Sequence, residues 1–236
     1  MLDSRAAEDL YAAFADVPRP ARLEGCPCCV EPGEGRALLD RPLRDLTAED
    51  LARYGAKALN TWAGEEEFRY FAPRLLELAA AGAFAVLDPE IVFIKLARAG
   101  WAEWPQRDAV EGFLGAFWTR TLESHPSRPA IGTALCALGG AAGAAGEMAP
   151  YLDEWGRLAS EAAIRQLHEF AVEELAWRRG TPLLRNAYWD TSGAPYREVL
   201  GWLTGGPAAE AVRVAFERAG REDVLELLAD LENRCR

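Results

Sequence analysis

The sequence predicts an all-α protein of about nine or ten antiparallel helices, arranged as HEAT-like stacked pairs or as a globular helical bundle. Three observations carry that prediction. Apolar residues recur at three- and four-residue spacing along almost the whole chain, while strict alternation is nearly absent. Capping residues, prolines and glycines bracket the periodic stretches. The junctions near Gly205-Gly206-Pro207 and Ala219-Gly220-Arg221 are short, which forces neighbouring helices to run antiparallel. No strict repeat of about 30–45 residues is visible, so nothing in the sequence demands a solenoid.

The elements follow in order. "SRAAEDLYAAFADV" sets Leu10, Phe14 and Val17 on one helical face, and Pro18 and Pro20 stop it. A loop is expected from there through the cysteines to Pro42. "LTAEDLARYGAKALNTW" opens on a Thr47-x-x-Asp50 capping signal and turns Leu51, Tyr54, Ala58 and Trp62 inward. "GEEEFRYFAPRLLELAAAG" has acids in its first turn and Gly82 at its end; Pro73 inside it implies a kink or a meeting of two short helices. Asp88-Pro89 starts another helix that Gly100 closes. Val110, Phe113, Leu114, Phe117 and Trp118 form a broad stripe on the next. In "PAIGTALCALGGAAGAAG" the pair Gly139-Gly140 weakens a helix of small residues by roughly 1 kcal/mol per glycine. Residues 150–180 read as the longest helix, apolar at Ile164, Leu167, Ala171 and Leu175. Three shorter helices close the chain.

A chain of 236 residues is long enough to bury a core without staples. We read residues 1–45 as an N-terminal helix plus a cysteine-containing loop and residues 46–236 as a helical domain, the two forming one continuous domain. The net charge of −11 opposes binding to nucleic acid or to an anionic membrane, both of which need clustered cations. The first residues carry acids where a signal peptide needs a basic region, and no apolar run reaches a membrane span of about 20 residues. A cytoplasmic location with reduced thiols is the expectation. All but two of the 26 basic residues, Lys57 and Lys95, are arginines, a bias expected of a GC-rich bacterial gene.

Chemistry-bearing residues are few. Three of the five cysteines, Cys26, Cys28 and Cys29, fall in "GCPCC". Cys26 and Cys29 have the C-x-x-C bite that lets two thiolates reach one zinc ion, and Cys28 adds a third sulfur, although adjacent residues rarely point at one metal. A closed site wants four ligands. Cys136, Cys235, His125 and His168 are the remaining candidates, and no second close pair exists among them. The motifs therefore name no cofactor outright, while zinc is compatible with the cysteines. A redox pair would want a helix N-terminus after a strand, and Pro32 and Gly33 argue against a helix starting nearby. Free or packed thiols are the plain alternative.

His168-Glu169 lacks a second histidine four residues on, so it is not a zinc-protease motif, and His125 reads as a helix-terminal cation. The carboxylates read as solvated helix faces, and no residue is assigned a catalytic role. Of eight tryptophans, Trp62, Trp118, Trp155, Trp177 and Trp202 fall in helical patterns and are expected in the core. Trp101, Trp104 and Trp189 fall in connections, where they either plug the core ends or anchor a partner.

"CPCC", the following "LLDRPLRDLTAEDLARYGAKALNTW…FRYFAPRLLELAAAG", and "APYREVLGWLTG…VAFERA" resemble an uncharacterised family of bacterial all-helical proteins. That resemblance implies a helical fold and brings no activity, substrate or catalytic residue with it. Two functional classes follow. The first is a non-catalytic binding or scaffold protein whose acidic surface takes a basic protein segment, a toxin-neutralising role being one form of it. The second is a metal- or thiol-dependent protein, with a structural zinc or a redox sensor, centred on Cys26, Cys28 and Cys29. A small-molecule enzyme with an unrecognised pocket is the weakest of the readings.

Overall fold

The computed structural model describes residues 4–234. Among these the chain is mostly helical, with twelve α-helices and a single two-stranded sheet, so the all-α expectation holds. No helix among the described residues is long and apolar enough to cross a membrane. The chain divides into two compact units, Met1–Phe117 and Trp118–Arg236, with the boundary inside one helix, α6 (Arg107–Glu123).

The first unit holds α1 (Ser4–Ala13), α2 (Glu34–Leu39), α3 (Ala48–Lys57), α4 (Glu65–Ala80), α5 (Pro89–Arg98) and the start of α6. The Thr47 signal does what its spacing implies: Thr47 Oγ1 accepts from Asp50 N at 3.2 Å, while Asp50 Oδ2 accepts from Thr47 N at 2.7 Å. Glu67 reaches back to Gly64 N in the same way at 2.9 Å and opens α4. Pro73 does not split α4, which runs continuously through it with the ring buried. Leu10, Leu51, Phe68, Leu75 and Phe93 are fully enclosed, and Tyr54 lies 4.6 Å from Phe71 and 5.4 Å from Trp62, ring to ring. The short α2 is a correction to the expected loop. Gly33 takes φ 92° and serves as its N-cap, and Leu38 and Leu39 are buried, so Pro32-Gly33 opens the helix rather than forbidding it.

Both lysines of the chain serve this unit as slender caps. Lys95 is 2 % exposed, and its Nζ donates to the carbonyl of Ala58, where α3 ends. A compact ammonium on an unbranched stem fits a carbonyl end where a planar guanidinium would need more donors satisfied. Burial, with Arg98 adding repulsion, pulls the Lys95 pKa down from 10.5 to about 8. Below pH 8 the ammonium is charged in both folded and unfolded chains, and the full burial cost is present. Between pH 8 and 10.5 the folded protein sheds this proton while the unfolded chain keeps it, so stability rises with pH across that window. We expect wild type to gain about 3 kcal/mol over Lys95→Met between those limits. Chemical denaturation of both proteins at several pH values checks this, and parallel curves would contradict it.

The second unit contains the rest of α6 with α7 (Ile131–Ala142), α8 (Ala149–Gly156), α9 (Glu161–Glu173), α10 (Ala194–Thr204), α11 (Pro207–Arg218) and α12 (Glu222–Arg234). Its centre is aromatic. Trp155 stacks on Trp202 at 5.4 Å and meets Trp118 and Phe170 edge-on at 5.4 and 5.5 Å. Trp118 Nε1 donates to the Tyr151 carbonyl at 2.9 Å and Trp155 Nε1 to that of Ala163 at 3.1 Å, so the large rings are buried without orphaning these donors.

The single long helix expected over residues 150–180 is not formed. Leu158 takes φ 40°, and Ser160 caps a new helix by accepting from Ala163 N at 3.1 Å. Past Glu173 the chain becomes an antiparallel hairpin, β1 (Leu175–Arg178) with β2 (Thr181–Leu184). Arg179 at φ 52° and Gly180 at φ 79° form its two-residue turn, so the residues expected to end the long helix reverse the chain in a hairpin instead. Trp177 consequently lies on the hairpin and is 52 % exposed, not in the core as its helical spacing suggested.

Gly139-Gly140 does not break α7, and one of the pair has a clear reason. A Cβ on Gly139 would stand 2.5 Å from Cζ3 of Trp189, so the bare backbone lets that ring rest on the helix. Gly139→Ala gains helix propensity of up to about 1 kcal/mol and overpacks by about 1–3 kcal/mol. The net expectation is a lower melting temperature; an equal or higher one would show that the indole does not rest there.

Candidate metal centre

The cysteines sit on a turn that the first unit holds at several points. Residue 25 pairs with residue 62 as an isolated antiparallel bridge, Cys26 N donates to Thr61 O at 2.7 Å, and Ala63 N donates to Glu24 O at 2.7 Å. Gly25 is required by close approach, since a Cβ there would meet Val30 Cγ2 at 2.6 Å. The turn then closes on one acceptor, with the amides of Cys29 and Val30 both donating to Cys26 O at 2.9 Å. Downstream, Glu34 Oε2 accepts from Glu31 N at 2.7 Å and fastens the start of α2.

Two cations of α3, one turn apart, converge on the same loop. Arg53 Nη2 donates to the Cys29 carbonyl at 3.1 Å, and Lys57 Nζ donates to that same oxygen. Arg53 Nε also lies 3.1 Å from Glu34, tying α3, the turn and the start of α2 together. The capping box at Thr47 fixes where α3 begins and so where these two heads arrive. Under the turn, Trp62 and Tyr54 are buried, and the indole N–H and phenol O–H have no protein partner.

This folding brings all three sulfurs together. Cys26 Sγ is 2.8 Å from Cys28 Sγ, Cys28 Sγ is 3.6 Å from Cys29 Sγ, and the three lie within 4.8 Å of one another. Cys28 is exposed and the other two are half-buried, so the cluster is open to solvent. The thiols share protons unequally. A hydrogen bond from Cys28 holds Cys26 below the ordinary thiol range, while giving that bond pushes Cys28 up to about 11. Cys26 is therefore the more readily ionised thiol of this pair.

The cluster could hold a metal ion, and among the described residues its donor set comprises these three thiols alone. Among the described residues, none of the other expected ligands joins it. Cys136 is buried in α7, in the second unit. His125 faces Glu169 at 3.1 Å and His168 faces Asp230 at 2.9 Å, both within the second unit. Cys235 lies outside the described residues.

The loop tryptophans are placed as follows. Trp101 and Trp104 are half-buried, and Trp104 Nε1 donates to Ala99 O at 3.1 Å while its ring meets Phe14 edge-on at 5.9 Å. Trp189 is 8 % exposed and lies 6.2 Å from Tyr196, ring to ring. What sequence reasoning missed is the pair Arg53 and Lys57. Their i, i+4 spacing on an amphipathic helix was readable, but the carbonyl they share was not. No protein-family model, curated protein or solved structure matches this chain significantly.

Proposed function

We propose that this is a helical metal-binding protein whose working part is the Cys26–Cys28–Cys29 turn. The observation that carries the reading is the convergence of three solvent-reachable thiols within 4.8 Å on a turn pinned by backbone bonds and two cations. Thiolates are soft donors that select zinc, copper(I) and similar ions. Binding displaces thiol protons, Cys28's being harder to remove than Cys26's with its pKa near 11, so apparent affinity should climb with pH by up to about tenfold per unit for each proton released. Elemental analysis of protein purified without chelator should find one thiophilic ion per chain. Zinc-loaded and copper-loaded samples that both lose all metal on simple desalting would contradict the reading.

A second reading rests on the 2.8 Å contact between Cys26 and Cys28. Oxidation by a small-molecule disulfide would join these two sulfurs across Pro27, passing two electrons and two protons to the oxidant as two free thiols. Peptide mapping after such treatment should place that bridge, and finding only mixed disulfides would count against it. The acidic-surface reading draws less support, because Glu8, Asp50, Asp223 and Asp230 are each already held by an arginine of their own unit.

A further inference from the structure

We infer that the site is a three-coordinate thiolate centre for a soft monovalent ion, copper(I), in preference to zinc; this rests on the metal-binding reading above. Ligand count is the ground. The donors are three sulfurs from four consecutive residues, with no fourth cysteine, histidine or carboxylate in the set among the described residues. Thiolates take both ions, but structural zinc wants a closed tetrahedron of four protein ligands, whereas copper(I) is satisfied by three.

The spacing suits an ion of either kind: held at about 2.3 Å by each sulfur, it sets the three sulfurs roughly 3.8–4.0 Å apart. Cys28 and Cys29 are already at 3.6 Å, and Cys26 and Cys28 need open from 2.8 Å by only about an ångström, within reach of side-chain rotation on an exposed turn. Three thiolates around a monovalent ion leave a double negative charge, which Lys57 and Arg53 at the Cys29 carbonyl offset only in part, since Arg53 is itself 3.1 Å from Glu34. Solvent exposure of Cys28 leaves a route by which the ion can be delivered and removed by another thiol.

The test is an anaerobic titration of the reduced full-length protein with copper(I) against a chromophoric copper(I) chelator, with zinc titrated in parallel and X-ray absorption on both products. We expect one copper per chain with three sulfur neighbours, falling to two in Cys28→Ser and unchanged in Cys136→Ser. Arg53→Gln should weaken copper binding by about tenfold without changing the sulfur count, as loss of a supporting group does. A two-sulfur copper site in wild type, or zinc held as tightly as copper in a four-ligand site, would overturn the inference while leaving the metal-binding reading intact. Retention of neither metal would overturn both.

Discussion

Replacing Trp155 with alanine should destabilise the second unit by about 3–5 kcal/mol. The ring is fully buried and touches Trp118, Phe170 and Trp202, so its removal strips three aromatic partners at once. It also leaves the Ala163 carbonyl without the indole donor it now accepts from at 3.1 Å, inside the first turn of α9. Trp177→Ala is the natural control. That ring is half in solvent on the hairpin, and truncating it should change stability by no more than about 0.5 kcal/mol. Denaturant titration followed by circular dichroism reads both variants. Equal midpoints for the two would show that the aromatic cluster does not form the core of this unit.

The second large effect concerns the turn. Changing Cys26 and Cys29 together to serine removes two of the three sulfurs and should lower metal affinity by more than about a hundredfold, beyond the 10–100-fold that loss of a supporting group costs. Stability should fall far less, because the turn is held by the Thr61, Glu24 and Cys26 backbone bonds and by the cations on the Cys29 carbonyl, none of which uses a thiol. Metal affinity and melting temperature are thus expected to separate in this variant. A collapse of both would mean that the thiols support the fold rather than a ligand.

Much of the helical frame was legible, for reasons that are local. The Thr47–Asp50 box, the Asp88-Pro89 start and the stripe from Val110 to Trp118 depend on side chains within a turn of one another, and the structure realises each. The hairpin was not legible, because Ile164, Leu167, Ala171 and Leu175 keep helical spacing across a boundary that the backbone alone decides. Gly180 signals a chain reversal equally well as a helix cap or as a hairpin turn. At the site, Cys26, Cys28 and Cys29 were all visible as candidates, but the meeting of the adjacent pair Cys28 and Cys29 was not. Neighbouring side chains diverge in regular structure, whereas here a turn closing on Cys26 O folds Cys28 and Cys29 toward each other. The supporting cations come from residues 24 and 28 positions further along, a separation that periodicity does not report.

The most direct measurement is protection of individual thiols. The reduced protein, with and without one equivalent of copper(I) or zinc, is treated with an alkylating reagent, and each cysteine is read by peptide mapping. The account predicts that Cys26, Cys28 and Cys29 lose reactivity together on addition of one ion. Continued alkylation of all three at the metal-free rate would contradict it.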